Sequence, residues 1–261
     1  MTNFKRLEAY LNINSDYYNK VDLETLNHYI HQYVLHVPFE NINVQNKQLI
    51  ALDDETMLHK IIQEHRGGFC YEQNRLFHSF LKEKGFDVYM VSATINTGKE
   101  WAMEGSHMAL IVSLNHHKYL VDVGYADVPK KAMPPITNQN EVIDVNGKFR
   151  VKHIDTYTIE MQKYKKDDWE TQYRAIDISK TLKDFAAGIE FNQHHSDSIF
   201  VQKLLVSKAK TYGRVTLSNA HLTIAKNGEV QKIPVTQNNY QTLLSDYFGI
   251  DDIRIQTFEQ Y

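Results

Sequence analysis

Three short stretches carry residue types that could work together chemically. Arg66-Gly67-Gly68-Phe69-Cys70 holds the only cysteine in the 261-residue chain. His107 stands in Ser106-His107-Met108-Ala109-Leu110, and Asp122 in Val121-Asp122-Val123-Gly124-Tyr125. The two glycines predict a sharp turn between helices, open to backbone shapes that other residues avoid. Cys70 then falls at a helix start, where unpaired N–H groups and the positive end of the dipole favour a thiolate. The thiolate is the nucleophile, and the same N–H groups suit a developing oxyanion. Asn74, four residues on, shares that face and could add a donor. On these residues alone, a glycine cap followed by a buried cysteine explains the stretch equally well, and a lone cysteine is commonly a buried small hydrophobe.

His107 and Asp122 belong to a second feature. Segments 107–114 and 117–123 read as strands joined at Asn115-His116. If Leu114 pairs with His117, Asp122 sits opposite Ala109 and diagonal to His107 on the same face, within side-chain reach. A slip of one residue would separate them. A carboxylate beside an imidazole fixes its tautomer and supports its charged form. The alternative is a polar cross-strand pair at a sheet surface, yet Asp122 lies between Val121 and Val123, where a carboxylate needs a partner. Nucleophile, base and orienter in the order Cys, His, Asp follow the logic of an activated thiol. Of the 13 histidines, His116 and His117 read as turn residues and His194 and His195 as loop residues. No compact set of ligands predicts a metal site.

The elements that must position these residues follow from periodicity. A helix from Leu23 carries Leu26, Tyr29, Ile30, Tyr33 and Val34 on one face, with Asp22 as N-cap and Pro38 beyond its end. A second carries Met57, Leu58, Ile61 and Ile62; a third runs from Cys70 through Phe77, Phe80 and Leu81 to Gly85. Residues 86–95 read as a buried strand. Segments 149–161 and 169–176 predict two more around a lysine-rich turn at 163–168. Residues 199–206 predict a short helix, and 214–224 and 230–235 a hairpin about Asn227-Gly228. A last helix holds Tyr240, Leu243, Leu244, Tyr247 and Phe248 and ends at Gly249. Helices followed by antiparallel strands and a mixed end indicate the α+β class.

Composition is that of a soluble globular chain: 42% hydrophobic, 23% charged and a net charge of −3. That balance argues against nucleic acid or an anionic membrane as the main partner. Lys5 and Arg6 are followed by no apolar segment, and the longest apolar runs, such as 108–112, are too short to span a bilayer. One cysteine cannot form an internal disulfide, so a cytoplasmic setting is expected.

These stretches, with Val37-Pro38-Phe39-Glu40-Asn41 and the continuation Tyr71-Glu72-Gln73-Asn74, resemble the signature blocks of the arylamine N-acetyltransferases, in family order and at similar spacing. Residues 192–200 resemble the family's serine-rich segment. The resemblance implies a cysteine-protease-like core in three parts: a helical bundle over 1–86, a β-barrel-like domain over 87–190 and an α/β lid over 191–261. It implies acetyl transfer from acetyl-CoA through a Cys70 thioester to an arylamine, hydrazine or N-hydroxyarylamine, with His107 as base and Asp122 as its orienter. It places Gly105, Ser106, Gly124 and Ser198 toward the cofactor, Phe39 and Tyr125 in the acceptor pocket, and Glu40 and Arg66 in a structural ion pair. Phe39 could equally be plain core. Two departures stand out. Ala126 replaces a family glycine, which alters the expected cofactor contact, and the serine-rich segment lacks its proline. Alternatives are an acyltransferase, amide synthase or hydrolase using another acyl donor, and a catalytically weak binding homologue.

Overall fold

The apolar spacing of the first third makes helices, and their ends follow local chemistry. The computed structural model describes residues 3–50, 52–134 and 140–259. It begins with α1 (Asn3–Tyr10), α2 (Leu23–His36), the two-residue strand β1 (Phe39–Glu40), the single turn α3 (Ile42–Gln45), α4 (Asp54–Ile62) and α5 (Cys70–Glu83). Asp22 caps α2 by accepting the Thr25 N–H at 2.8 Å, and Asp53 caps α4 through Thr56 in the same way. Beyond α5 the chain turns at Gly85 with φ +85°, a left-handed conformation suited to glycine.

A seven-stranded antiparallel sheet follows. Its strands are β2 (Asp87–Ile95), β3 (His107–Leu114), β4 (His117–Val121), β5 (Glu141–Asp144), β6 (Gly147–His153), β7 (Thr158–Lys165) and β8 (Asp168–Lys180), in the order β4-β3-β2-β8-β7-β6-β5. A 3₁₀ turn, Leu182–Phe185, leads into α6 (Ala186–His194) and the single turn α7 (Ile199–Gln202). The second sheet holds β9 (Leu205–Lys210), β10 (Gly213–Ser218), β11 (His221–Lys226) and β12 (Glu229–Pro234), with β1 on its edge beside β9. α8 (Tyr240–Phe248) ends at Gly249 with φ +74°, and α9 (Gln256–Glu259) follows. The class is α+β, as the order of elements implied.

Both faces of β2 and β3 are covered, which is why they read as continuous apolar runs. Met108, Leu110 and Val112 pack with the helices, among Tyr33, Phe77 and Phe80. Ala109 and Ile111 face the other way, against Val91, Phe149 and Tyr173. A separate core under the second sheet joins Val206, Val215 and Leu217 to Tyr240, Leu244 and Phe248. Among the described residues no helix is long and apolar enough to cross a membrane.

Three expected segments divide. Residues 149–161 form two strands, because Asp155 Oδ1 accepts the N–H groups of Tyr157 and Thr158, both at 2.9 Å, and turns the chain between β6 and β7. The turn expected across 163–168 narrows to Lys166-Asp167, both with positive φ. Residues 214–224 split into β10 and β11 at Asn219-Ala220, where Ser218 Oγ accepts the His221 N–H. In 199–206 the helix lasts one turn before β9 begins; β9 is held by β1 and β10, partners that no local pattern reveals. The Asn227-Gly228 hairpin forms as expected, pairing Lys226 with Glu229.

Candidate active site

The loop before Cys70 is shaped by close approach rather than by unusual dihedrals. Neither Gly67 nor Gly68 has positive φ; the left-handed residue in this turn is His65, at +52°. A Cβ on Gly67 would lie 1.8 Å from the Pro38 carbonyl oxygen, and one on Gly68 would lie 2.3 Å from Glu72 Oε2. The expectation of glycines serving as backbone hinges is therefore corrected: they let the loop press against β1 and α5. Gly68 O accepts the Glu40 N–H at 2.9 Å and Gln73 Nε2 at 2.6 Å.

Beneath the loop lies a buried ionic network. Glu40 Oε1 accepts Arg66 Nη2 at 3.0 Å and Lys60 Nζ at 3.2 Å. Lys60 Nζ also reaches Glu72 Oε1 at 2.9 Å, and Glu72 Oε2 accepts the Phe69 N–H at 3.2 Å. Burial alone would raise the Glu40 carboxyl, but Arg66, Lys60 and the Ile42 N–H outweigh it and hold the pKa at about 2. The expected Glu40–Arg66 pair is thus part of a larger cluster, in which Arg66 also reaches the more exposed Glu64 at 3.6 Å.

The hairpin has the register that the site requires. Leu114 pairs with His117 across Asn115-His116, and the ladder runs to Leu110–Val121. Just beyond it, His107 Nε2 and Asp122 Oδ2 meet at 2.7 Å. With Nε2–H donating to Asp122, Nδ1 is the ring nitrogen that remains free to serve a thiol, and Cys70 is near enough for its charge to act on the imidazole. Burial disfavours the imidazolium, but the charges of Asp122 and Cys70 prevail and push His107 up to about 10. Cys70 lies at the first position of α5.

Asn74 does not serve as an extra donor at Cys70. Its Nδ2 donates to Asp122 Oδ1 at 2.8 Å and to Met108 O at 2.7 Å, and its Oδ1 accepts the Val123 N–H at 3.0 Å. It clamps the Asp122 loop to α5. Gly124 completes the clamp: its N–H donates to Asp122 Oδ1 at 2.8 Å, and a Cβ there would lie 2.7 Å from Cys70 Cα.

The remaining predicted residues fall in two places. Phe39 and Tyr125 line one cavity with Val37, Ala126, Ser207 and Arg214. At about 20 Å³ it has room for a water or so but not for an aryl ring. Tyr125 sets its ring edge against His107, centroids 5.7 Å apart, and Phe39 touches Phe200. Gly105, Ser106 and Ser198 gather around Asn192: Asn192 Nδ2 donates to Ser106 O, Ser198 Oγ donates to Asn192 O, and Gly105 O accepts the Tyr71 hydroxyl. Ser198 also caps α7 by accepting the Phe200 N–H. At position 126 the φ is not positive, so alanine fits without strain; Ala126 O accepts Ser207 Oγ and Arg214 Nη1.

Residues that sequence reasoning missed include Tyr173, whose buried ring lies 5.0 Å from that of His107, and the pair Lys60 and Glu72. Tyr173 alternates with Ala175 along an inward strand face, but nothing local names His107 as its neighbour. Lys60 carried a signal: a lysine between Met57 and Ile61 on an apolar helix face requires an anion. Phe200, packed on Phe69 at 5.2 Å, stands in the segment read for its serines.

The chain is similar to known proteins along most of its length. The N-acetyltransferase family profile matches residues 22–255. The uncharacterized acetyltransferase YvcN of Bacillus subtilis is 30% identical over 219 residues, covering 81% of this chain and 85% of that protein. The arylamine N-acetyltransferase of Escherichia coli is 27% identical, covering 84% of this chain and 79% of that protein. The crystal structure of an arylamine N-acetyltransferase from Bacillus cereus, described as revealing a unique Cys-His-Glu catalytic triad, matches with a TM-score of 0.87 at 30% identity, over 97% of this chain and 100% of that one. This similarity across nearly the whole length places the chain in the arylamine N-acetyltransferase family.

Proposed function

We propose that Cys70, His107 and Asp122 form the catalytic triad of a ping-pong acetyl transfer from acetyl-CoA to an arylamine, hydrazine or N-hydroxyarylamine. The observation that carries this reading is the buried His107–Asp122 hydrogen bond of 2.7 Å, with Cys70 at the start of α5 and near enough for its charge to act on the imidazole. In the Bacillus cereus relative the third member is a glutamate; here an aspartate holds the histidine.

His107 takes the Cys70 proton, and the thiolate attacks the acetyl carbonyl. The C–S bond to coenzyme A breaks, and the departing thiolate takes the proton from His107. Acetylation removes the negative charge of Cys70, one of the two charges that hold His107 protonated. His107 is then free to accept the proton of the incoming amine as its nitrogen attacks the thioester, and the Cys70 thiolate is regenerated. The first N–H groups of α5 have no intrahelical partner and would steady the oxyanion in both half-reactions.

Cys70, His107 and Asp122 are 2%, 2% and 3% exposed, so entry of substrate requires neighbouring side chains to move. Phe39 and Tyr125 would face the acceptor. Gly105 and Ser106, next to His107, and Gly124, against Cys70, would lie along the cofactor. Ser198 would act through the packing of α7, since its hydroxyl is spent on Asn192 and Phe200. Rapid mixing with acetyl-CoA in the absence of amine tests the reading. A burst of one equivalent of free coenzyme A, followed by turnover only when amine is added, is expected; release that waits for the amine would contradict a ping-pong path.

A further inference from the structure

Lys60 is 4% exposed on the side of α4 that carries Met57 and Ile61. A lone ammonium there would be costly. It lies 2.9 Å from Glu72 and 3.2 Å from Glu40. Glu40 also has Arg66 and the Ile42 N–H. Glu72 is the third residue of α5, and its carboxylate receives the Phe69 N–H at the helix start. A carboxylate there draws on the same positive helix end as a thiolate on the first residue, and two negative charges within one turn repel each other.

We propose that Lys60 is a positioning residue for the Cys70 nucleophile: by pairing with Glu72 it keeps that carboxylate seated on the Phe69 amide and cancels its charge, leaving the positive end of α5 to the thiolate. The inference rests on the reading of Cys70 as an activated nucleophile. The other titratable groups around the thiol and His107 are Tyr71 on α5, His107 itself on β3, Asp122 after β4, Tyr125 on the following loop and Tyr173 on β8, with Glu40, Arg66 and Glu64 in the network below. None of these changes in the Lys60 and Glu72 variants below.

Because Cys70 is the only cysteine, alkylation by iodoacetamide reports it alone. The rate is measured against pH in the wild type, Lys60→Met, Glu72→Gln and the double variant, with circular dichroism to confirm folding. Lys60→Met is expected to move the profile to higher pH, slowing the acid limb about tenfold. Glu72→Gln keeps the cap on Phe69 but leaves Lys60 in excess, so its acid limb should run several-fold faster. The double variant should return close to wild type, because charge balance is restored while two native side chains are lost. A purely structural role would instead leave the double variant further from wild type than either single one. The proposal is overturned if Lys60→Met matches wild type, if Glu72→Gln is unchanged or slower, or if the double variant is as slow as Lys60→Met. Should Lys60→Met fail to fold, Glu72→Gln and the double variant decide by the same criteria. A wild-type profile that His107→Ala does not alter would instead defeat the nucleophile reading itself.

Discussion

Replacing Asn74 by alanine tests how the site is held together. The fully buried side chain makes three hydrogen bonds: to Asp122 Oδ1 at 2.8 Å, to Met108 O at 2.7 Å and from the Val123 N–H at 3.0 Å. Truncation orphans a backbone donor and a backbone acceptor in the interior. Each such group costs about 1–3 kcal/mol, and a bond to a charged acceptor is worth about 1.5–3 kcal/mol. Asp122 Oδ1 keeps the Gly124 N–H, and Oδ2 keeps His107, which limits the damage at the carboxylate. The expected loss is on the order of 3 kcal/mol. Since the His107–Asp122 bond survives, acetylation of Cys70 should slow by only about tenfold, less than the orders of magnitude expected when the orienting carboxylate itself is neutralised. Urea unfolding at constant m-value gives the first quantity, and single-turnover coenzyme A release gives the second. A stability loss below about 1 kcal/mol with an unchanged acetylation rate would refute the clamp.

Other perturbations have definite signs. In His107→Ala, alkylation of Cys70 near neutral pH should fall about a hundredfold, as measured with iodoacetamide; equal rates would mean that His107 does not activate the thiol. Gly124→Ala puts a methyl 2.7 Å from Cys70 Cα, so it should cost about 1–3 kcal/mol in urea unfolding and slow acetylation; wild-type behaviour would show that the loop gives way freely. Glu40 is held at about 2, below its ordinary 4.5. Its contribution is therefore complete above pH 4.5 and lost as pH falls toward 2, on the order of 3 kcal/mol. The urea midpoint should drop over that window in wild type and much less in Glu40→Gln.

The Cys70 block and the hairpin are legible because local rules govern them. A two-residue turn fixes register, and register alone carried Asp122 to His107. The α2 cap, the Gly85 and Gly249 ends and the Asn227-Gly228 hairpin follow from the same short-range chemistry. What stayed hidden depends on distant partners. β9 forms because β1 and β10 flank it, with Phe39 paired to Ser207. The role of Asn74 is set by Met108 and Val123, more than thirty residues away. The double glycine reads in sequence as a turn in backbone shapes that other residues avoid, whereas the Pro38 carbonyl 1.8 Å from a hypothetical Gly67 Cβ makes it a matter of space. Lys60 leaves a local signal, a charge on an apolar helix face, but its two carboxylates come from β1 and α5, which only the fold brings together.

The most direct test is peptide mass mapping of the protein after incubation with acetyl-CoA alone. One acetyl group on Cys70, absent in His107→Ala at short times and discharged on adding an arylamine, is the predicted result. No adduct on Cys70, or an adduct that an amine does not remove, would contradict it.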